Sequence, residues 1–341
     1  MDRIDCDVHV APESYRTLYP YLSDYWRDYI EEAGVRLNGL ALAYPPGAPT
    51  SGGLPPSSYE ELRRRVLEPA APRYAVLNCL TAFETHRSAY FAAAVASAVN
   101  DWLREEFLSR DERLRASLVV SGLSTEDAVA EIERVGDDPG FVQVLLPARG
   151  DPPWGNKTAH ALFAAACERS LQVGLHAWGR PGNAPTPSGF TTSYLEDYVG
   201  NQQVAQAQLL SFVTEGVFNR FPGLKVLLIE CGFAWLPPLL WRLDKDWRGV
   251  WREVPWVDRP PSEYVREHFR ATTAPAHLPK DEPGAVTQLL EMLGDAGSLL
   301  TYSSDYPHEH GDGLATLLDQ LGEDDRAAVL AGNAAALYQL S

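Results

Sequence analysis

The chain has 341 residues, 45% of them hydrophobic and 22% charged, and a formal net charge of −17 at neutral pH. That length is ample for a sizeable core, and the acidic balance excludes nucleic acid and anionic membranes as partners, because both demand basic surface. Four cysteines (Cys6, Cys79, Cys167 and Cys231) are scattered without a C-x-x-C pair, the chain opens without an apolar signal segment, and the longest uncharged helical stretch, 88–100, is too short for a bilayer. The expectation is a soluble, cytoplasmic protein with neither a disulfide scaffold nor a membrane span.

In chain order, residues 3–10 read as a short strand ending in Asp7-Val8-His9. Two residues apart on a strand, Asp7 and His9 point to one face, and a carboxylate beside an imidazole suits a divalent cation. A long excursion, 11–72, follows. It holds an aromatic-rich helical stretch at 19–30 and then the Pro- and Gly-rich runs 45–53 and 55–58, which are loop. An excursion that long, leaving the end of a strand, predicts a lid-like insertion.

From residue 73 a regular alternation begins. Strand-like runs fall at 74–80, 114–120, 141–146, 171–176, 224–230, 269–273 and 299–303. Helical patterns separate them, among them 90–108, 128–135 behind a Ser124-Thr125-Glu126-Asp127 capping box, 158–170, 283–293 and 324–340. Near-continuous apolar strands between helices are parallel strands buried on both faces. Eight of them predict an α/β fold, a single (β/α)8 TIM barrel over 1–341 with a long insertion after the first strand.

Active sites of such barrels sit at the C-terminal ends of the strands. There the first strand offers Asp7 and His9, the fifth His176, the sixth Glu230 and the eighth Asp305. Taken singly, His176 reads equally as a satisfied core histidine, Asp305 as a turn residue and Glu230 as a helix N-terminal acid. Together on one rim they predict a metal site. Candidate substrate contacts follow the same strands: Trp154 after the fourth, Trp178 and Arg180 after the fifth, Trp235 after the sixth, and His308 and His310 after the eighth. Arg180 suits a substrate carboxylate. His86, after the second strand, is a weaker candidate, and His160 and His268 read as structural.

The chain resembles the amidohydrolase superfamily, in the branch that includes aminocarboxymuconate-semialdehyde decarboxylase and the resorcylate-type decarboxylases. Ile4-Asp5-Cys6-Asp7-Val8-His9, Asn100-Asp101-Trp102-Leu103, Gly174-Leu175-His176 and Phe221-Pro222-Gly223-Leu224-Lys225 carry the resemblance. So do Glu230-Cys231-Gly232-Phe233-Ala234-Trp235-Leu236-Pro237, Ser304-Asp305-Tyr306-Pro307-His308 and Gly332-Asn333-Ala334. It implies one divalent metal held by Asp7, His9, His176 and Asp305: zinc first, with manganese or iron(II) as alternatives. The fourth strand ends without the lysine a binuclear site would need. Relatives of the decarboxylase type carry a histidine at the end of the sixth strand; here Glu230 stands there.

The main expectation is therefore a metal-dependent hydrolase. Metal-activated water would attack a C–N, C–O or activated C–C bond of a small molecule, with Asp305 or Glu230 as the catalytic base. The alternative is a non-oxidative decarboxylase of an aromatic or unsaturated acid. A barrel that only binds is a third, weaker reading. The resemblance also allows a homodimer.

Overall fold

The computed structural model describes residues 2–36, 50–80, 88–179, 183–184, 186, 188–279, 282–311 and 313–341. Eight strands lie in the order β1 to β8, every neighbouring pair parallel. They are β1 Ile4–His9, β2 Tyr74–Asn78, β3 Leu114–Val119, β4 Phe141–Arg149, β5 Gln172–Gly179, β6 Val226–Ile229, β7 Phe269–Thr272 and β8 Leu300–Thr301. Each falls on one of the apolar runs expected from the sequence.

The ring closes between β8 and β1. Cys6 N donates to Tyr302 O at 3.0 Å, Asp305 N to Asp7 O at 3.1 Å and His9 N to Tyr306 O at 2.8 Å. This is the TIM-barrel architecture, with helices outside and the catalytic rim at the strand C-termini.

Local chemistry starts the helices where the barrel needs them. The hydroxyls of Ser88, Ser124 and Ser193 accept from the backbone N–H of Phe91, Asp127 and Glu196, capping the helices Ala89–Leu103, Thr125–Val135 and Tyr194–Thr214. Each such cap contributes about 1 kcal/mol. Phe91, Phe107, Phe163 and Phe212 are fully buried between helices and strands, and each contributes about 1.5–3 kcal/mol through burial. Among the described residues no helix is long and apolar enough to cross a membrane.

The described parts of the excursion occupy two places. Its aromatic start, including the helix Asp24–Glu32, packs on the helix Ala89–Leu103: the rings of Tyr15, Trp26 and Tyr29 meet Phe91 edge-on at 5.8, 5.3 and 5.5 Å. Its returning part runs beside the segment that follows β8. Ser51 N donates to Pro307 O at 2.7 Å, Thr50 bridges His308, and Arg65 Nε donates to the Tyr306 hydroxyl at 2.6 Å. Residues 37–49, between the two, lie outside the described residues.

Candidate metal centre

Asp7 and His9 project from β1 into the barrel mouth, as a two-residue strand spacing requires. His176 comes from β5. Glu230 and Asp305 each sit just past a strand, β6 and β8, with φ of +55°. For a residue with a Cβ that left-handed conformation costs on the order of 1–2 kcal/mol. Hydrogen bonds hold both turns: Glu230 N donates to Thr272 Oγ1 at 3.0 Å, and Asp305 O accepts from His308 N at 2.8 Å.

Glu230 Oε1 lies 3.0 Å from His9 Nε2 and 3.2 Å from His176 Nε2. Asp7 Oδ1 lies 3.2 Å from His9 Nε2 and 3.8 Å from His176 Nε2. One ligand atom each from Asp7, His9, His176 and Glu230 falls within 4.8 Å of all the others, and so does a second set of His9, Glu230, Asp305 and His308. Glu230 and His9 thus belong to both sets. Asp305 belongs to the adjoining set, with its Oδ1 3.3 Å from His9 Nε2.

Burial alone would push the Asp7 carboxyl up, but His9 and His176 outweigh it and hold it at about 2. Glu230 is likewise held well below its ordinary value, its burial overcome by the same two imidazoles. Burial lowers His176, yet Glu230 and Asp7 raise it to about 9. Asp305 goes the other way: burial and then the charge of Glu230 push it well above the usual carboxylate range. Three carboxylates, Asp7 and Asp305 fully buried and Glu230 partly so, thus surround the two imidazoles.

Asp7 Oδ2, Glu230 Oε1 and both ring nitrogens of His176 are buried without a well-formed hydrogen bond. Buried polar atoms left in that state are costly and rare. Oxygen and imidazole donors converging at one point fit a divalent cation.

Asp305 is bracketed by the two histidines expected to contact substrate. His308 Nδ1 is 2.8 Å from its Oδ1, and His310 Nε2 is 2.5 Å from its Oδ2. A cavity of about 280 Å³ opens beside them, lined by Pro275, His277, Ser304, His310 and Leu314 among others. Trp154 differs from the expectation. Its ring is buried, its indole N–H donates to Pro147 O at 2.7 Å and its backbone N–H to Gln208 Oε1 at 2.8 Å, so it ties the end of β4 to the helix Tyr194–Thr214. Trp235 is similarly buried, with its indole donating to Cys231 O. Trp178 lies next to the end of β5, but its side chain, like the whole of Arg180 and His86, lies outside the described residues.

Sequence reasoning missed three groups. Asn78, the last residue of β2, donates from Nδ2 to Asp7 Oδ1 at 2.7 Å. Tyr198, on the helix Tyr194–Thr214, has its phenol pushed up by burial and by the charges of Glu230 and Asp305. His277, just past β7, joins the cavity wall. Asn78 and His277 carried one available signal, a polar residue at a strand's C-terminal end.

A family model described as "Amidohydrolase" matches residues 4–340. The chain is 24% identical over 319 residues to a γ-resorcylate decarboxylase from Polaromonas sp., covering 86% of this chain and 94% of that one. It shares its fold with a dihydroxybenzoic acid decarboxylase from Polaromonas sp. JS666 with bound manganese and the inhibitor 2-nitroresorcinol. That match has a TM-score of 0.69 and 21% identity, over 99% of this chain and 97% of the other. A 5-carboxyvanillate decarboxylase from Novosphingobium aromaticivorans, complexed with manganese and 4-hydroxy-3-methoxy-5-nitrobenzoic acid, matches at TM-score 0.70 and 16% identity, over 99% and 96%.

Proposed function

Because the chain belongs to the amidohydrolase family, we propose that it is a metal-dependent, non-oxidative decarboxylase of a hydroxylated aromatic acid. The observation that carries this reading is the alignment with γ-resorcylate decarboxylase over 94% of that enzyme's length. This reverses the order of the two reactions expected from sequence, where hydrolysis stood first. Manganese likewise replaces zinc as the first cation to test, since the manganese-bound relatives favour it.

Asp7, His9, His176 and Glu230 would hold the cation. When bound, it supplies positive charge to anchor the substrate's carboxylate and a neighbouring phenolic oxygen. Asp305, held between His308 and His310, carries the proton. It delivers that proton to the ring carbon bearing the carboxylate. The bond from that carbon to the carboxylate then breaks, its electron pair restores the aromatic ring, and carbon dioxide leaves. His308 and His310 connect Asp305 to the rim and return a proton to it. The adjoining cavity of about 280 Å³ has the size of a single aromatic ring site.

The test is a panel of hydroxybenzoates, led by 2,6-dihydroxybenzoate, set beside amides and lactones and assayed with manganese-loaded protein. Carbon dioxide release from the aromatic acids is the expected result. Turnover confined to amides or lactones would return the reading to hydrolysis.

A further inference from the structure

Inside a barrel of this kind the layers are ordinarily filled by branched aliphatic side chains. Here β2, β3 and β4 instead contribute Asn78, Ser117 and Gln143, all fully buried. The three touch in series. Asn78 Nδ2 reaches Asp7 Oδ1 at 2.7 Å, Ser117 Oγ reaches Asn78 Oδ1 at 2.5 Å, and Gln143 Nε2 reaches Ser117 Oγ at 2.8 Å. The Tyr338 hydroxyl, on the C-terminal helix Asn333–Tyr338, closes the series on Gln143 Oε1 at 2.9 Å. Room is made for it: a Cβ at position 174 would come within 2.8 Å of the Gln143 side chain, so β5 carries Gly174 there.

We propose that Asn78, Ser117, Gln143 and Tyr338 form a one-way hydrogen-bond relay that positions Asp7 for the cation. The proposal rests on the reading of Asp7 as a metal ligand. Its direction follows from Asp7 itself. An ionised carboxylate only accepts, so Asn78 must turn its amide nitrogen toward it. That nitrogen also lies 3.4 Å from the Cys6 carbonyl, a second acceptor. The amide oxygen of Asn78 is then left to accept, and the single Ser117 proton must go to it. Ser117 oxygen in turn accepts from Gln143, whose own oxygen takes the Tyr338 proton.

All four bonds donate toward Asp7, and aligned hydrogen bonds polarise one another in a low-dielectric interior. A carboxylate tethered through one oxygen cannot swing, while its Oδ2 stays buried without a partner. Asn78, Ser117, Gln143 and Tyr338 are positioning residues that act through Asp7. Groups of this kind typically set about ten- to a hundredfold in metal affinity.

Mn2+ affinity, read by the electron-spin resonance of free Mn2+ during titration, tests the relay in the full-length protein. Ser117→Ala frees the Asn78 amide to rotate and should weaken Mn2+ binding by roughly tenfold. Tyr338→Phe, a single oxygen removed two links beyond Ser117, should weaken it by roughly threefold. With Ser117→Ala already present, Tyr338→Phe should have no further effect, because the relay is already cut between Tyr338 and Asp7.

A Tyr338→Phe protein that binds Mn2+ like wild type overturns the relay even if its Tm falls. So does a Tyr338→Phe effect that persists in full in the Ser117→Ala background. If Ser117→Ala does not fold, Tyr338→Phe alone decides. Wild-type protein that takes up no Mn2+ overturns the metal reading and the relay with it, which separates that failure from the others.

Discussion

The two sides of the barrel are built differently. β3, β4 and β5 run for six, nine and eight residues, whereas β6, β7 and β8 run for four, four and two. The long side is a long, buried ladder, mostly aliphatic but carrying Ser117 and Gln143, and supplies His176. The short side gives way early to turns, and from those turns come Glu230 and Asp305, each in a left-handed conformation. Ending a strand one turn early re-aims a carboxylate from the wall toward the axis. The long side keeps the shape, and the short side stores the strain that makes a site.

The largest test removes proposed ligands from β1 and from the long side. Asp7→Ala and His176→Ala should each abolish stoichiometric Mn2+ uptake and lower kcat/KM on the order of a thousandfold. Metal analysis and steady-state kinetics on the same preparations check both. Full metal content in either variant would remove that residue from the ligand set.

Next comes the division of labour on the short side. Glu230→Gln should lose metal and rate together, because its Oε1 faces both imidazoles. Asp305→Asn should keep the metal while kcat falls by about two to four orders of magnitude. The reverse pattern would make Asp305 the ligand and Glu230 the proton donor.

Strain outside the site offers a smaller comparison. Ser170, exposed after the helix His160–Glu168 on the long side, has φ of +58°. Glycine is favoured at such a helix end, so Ser170→Gly should stabilise the fold by about 0.5–1 kcal/mol. Denaturant melts should show the gain with kcat unchanged. An unchanged midpoint would mean that the left-handed turn carries no cost there.

The smallest effect concerns pH. His268, at the entry to β7, is buried, stacks on Phe218 at 4.2 Å and pairs Nδ1 with Leu224 O at 2.8 Å. Burial holds its pKa below the ordinary histidine value. The unfolded chain therefore takes up a proton first as pH falls through about 6.5. Stability from this group is complete above that pH and is lost as pH drops toward the folded value. His268→Gln should flatten the fall in Tm between pH 7.5 and 5.5. An equal fall in variant and wild type would clear His268 of any part in it.

The long side was the easier one to read from sequence. Val142, Val144, Leu145 and Leu146 announce a buried strand by composition alone, and the eight runs needed only counting. Asp7, His9, His176, Glu230 and Asp305 were visible because each is a polar residue ending an apolar run. That Glu230 joins both four-atom sets and Asp305 only the second was not visible, since that depends on backbone turns that periodicity does not encode. Trp154 could not be placed from sequence, because an aromatic after a strand looks the same whether it faces the mouth or the helix layer. Asn78 also ends an apolar run but escaped because an amide neither titrates nor suits a divalent cation as a carboxylate does; its importance comes from the carboxylate it meets.

The seam between β1 and β8 has a consequence for how the molecule is made. Ser304 Oγ contacts the Asp7 carbonyl across 297 residues of sequence. During synthesis β1 waits with one edge open until the segment after β8, 297 residues further on, has emerged. Contacts so distant in sequence form late and slowly. Closure of the ring therefore waits on β8, although the four residues proposed to hold the cation have all been made once Glu230 is in the chain.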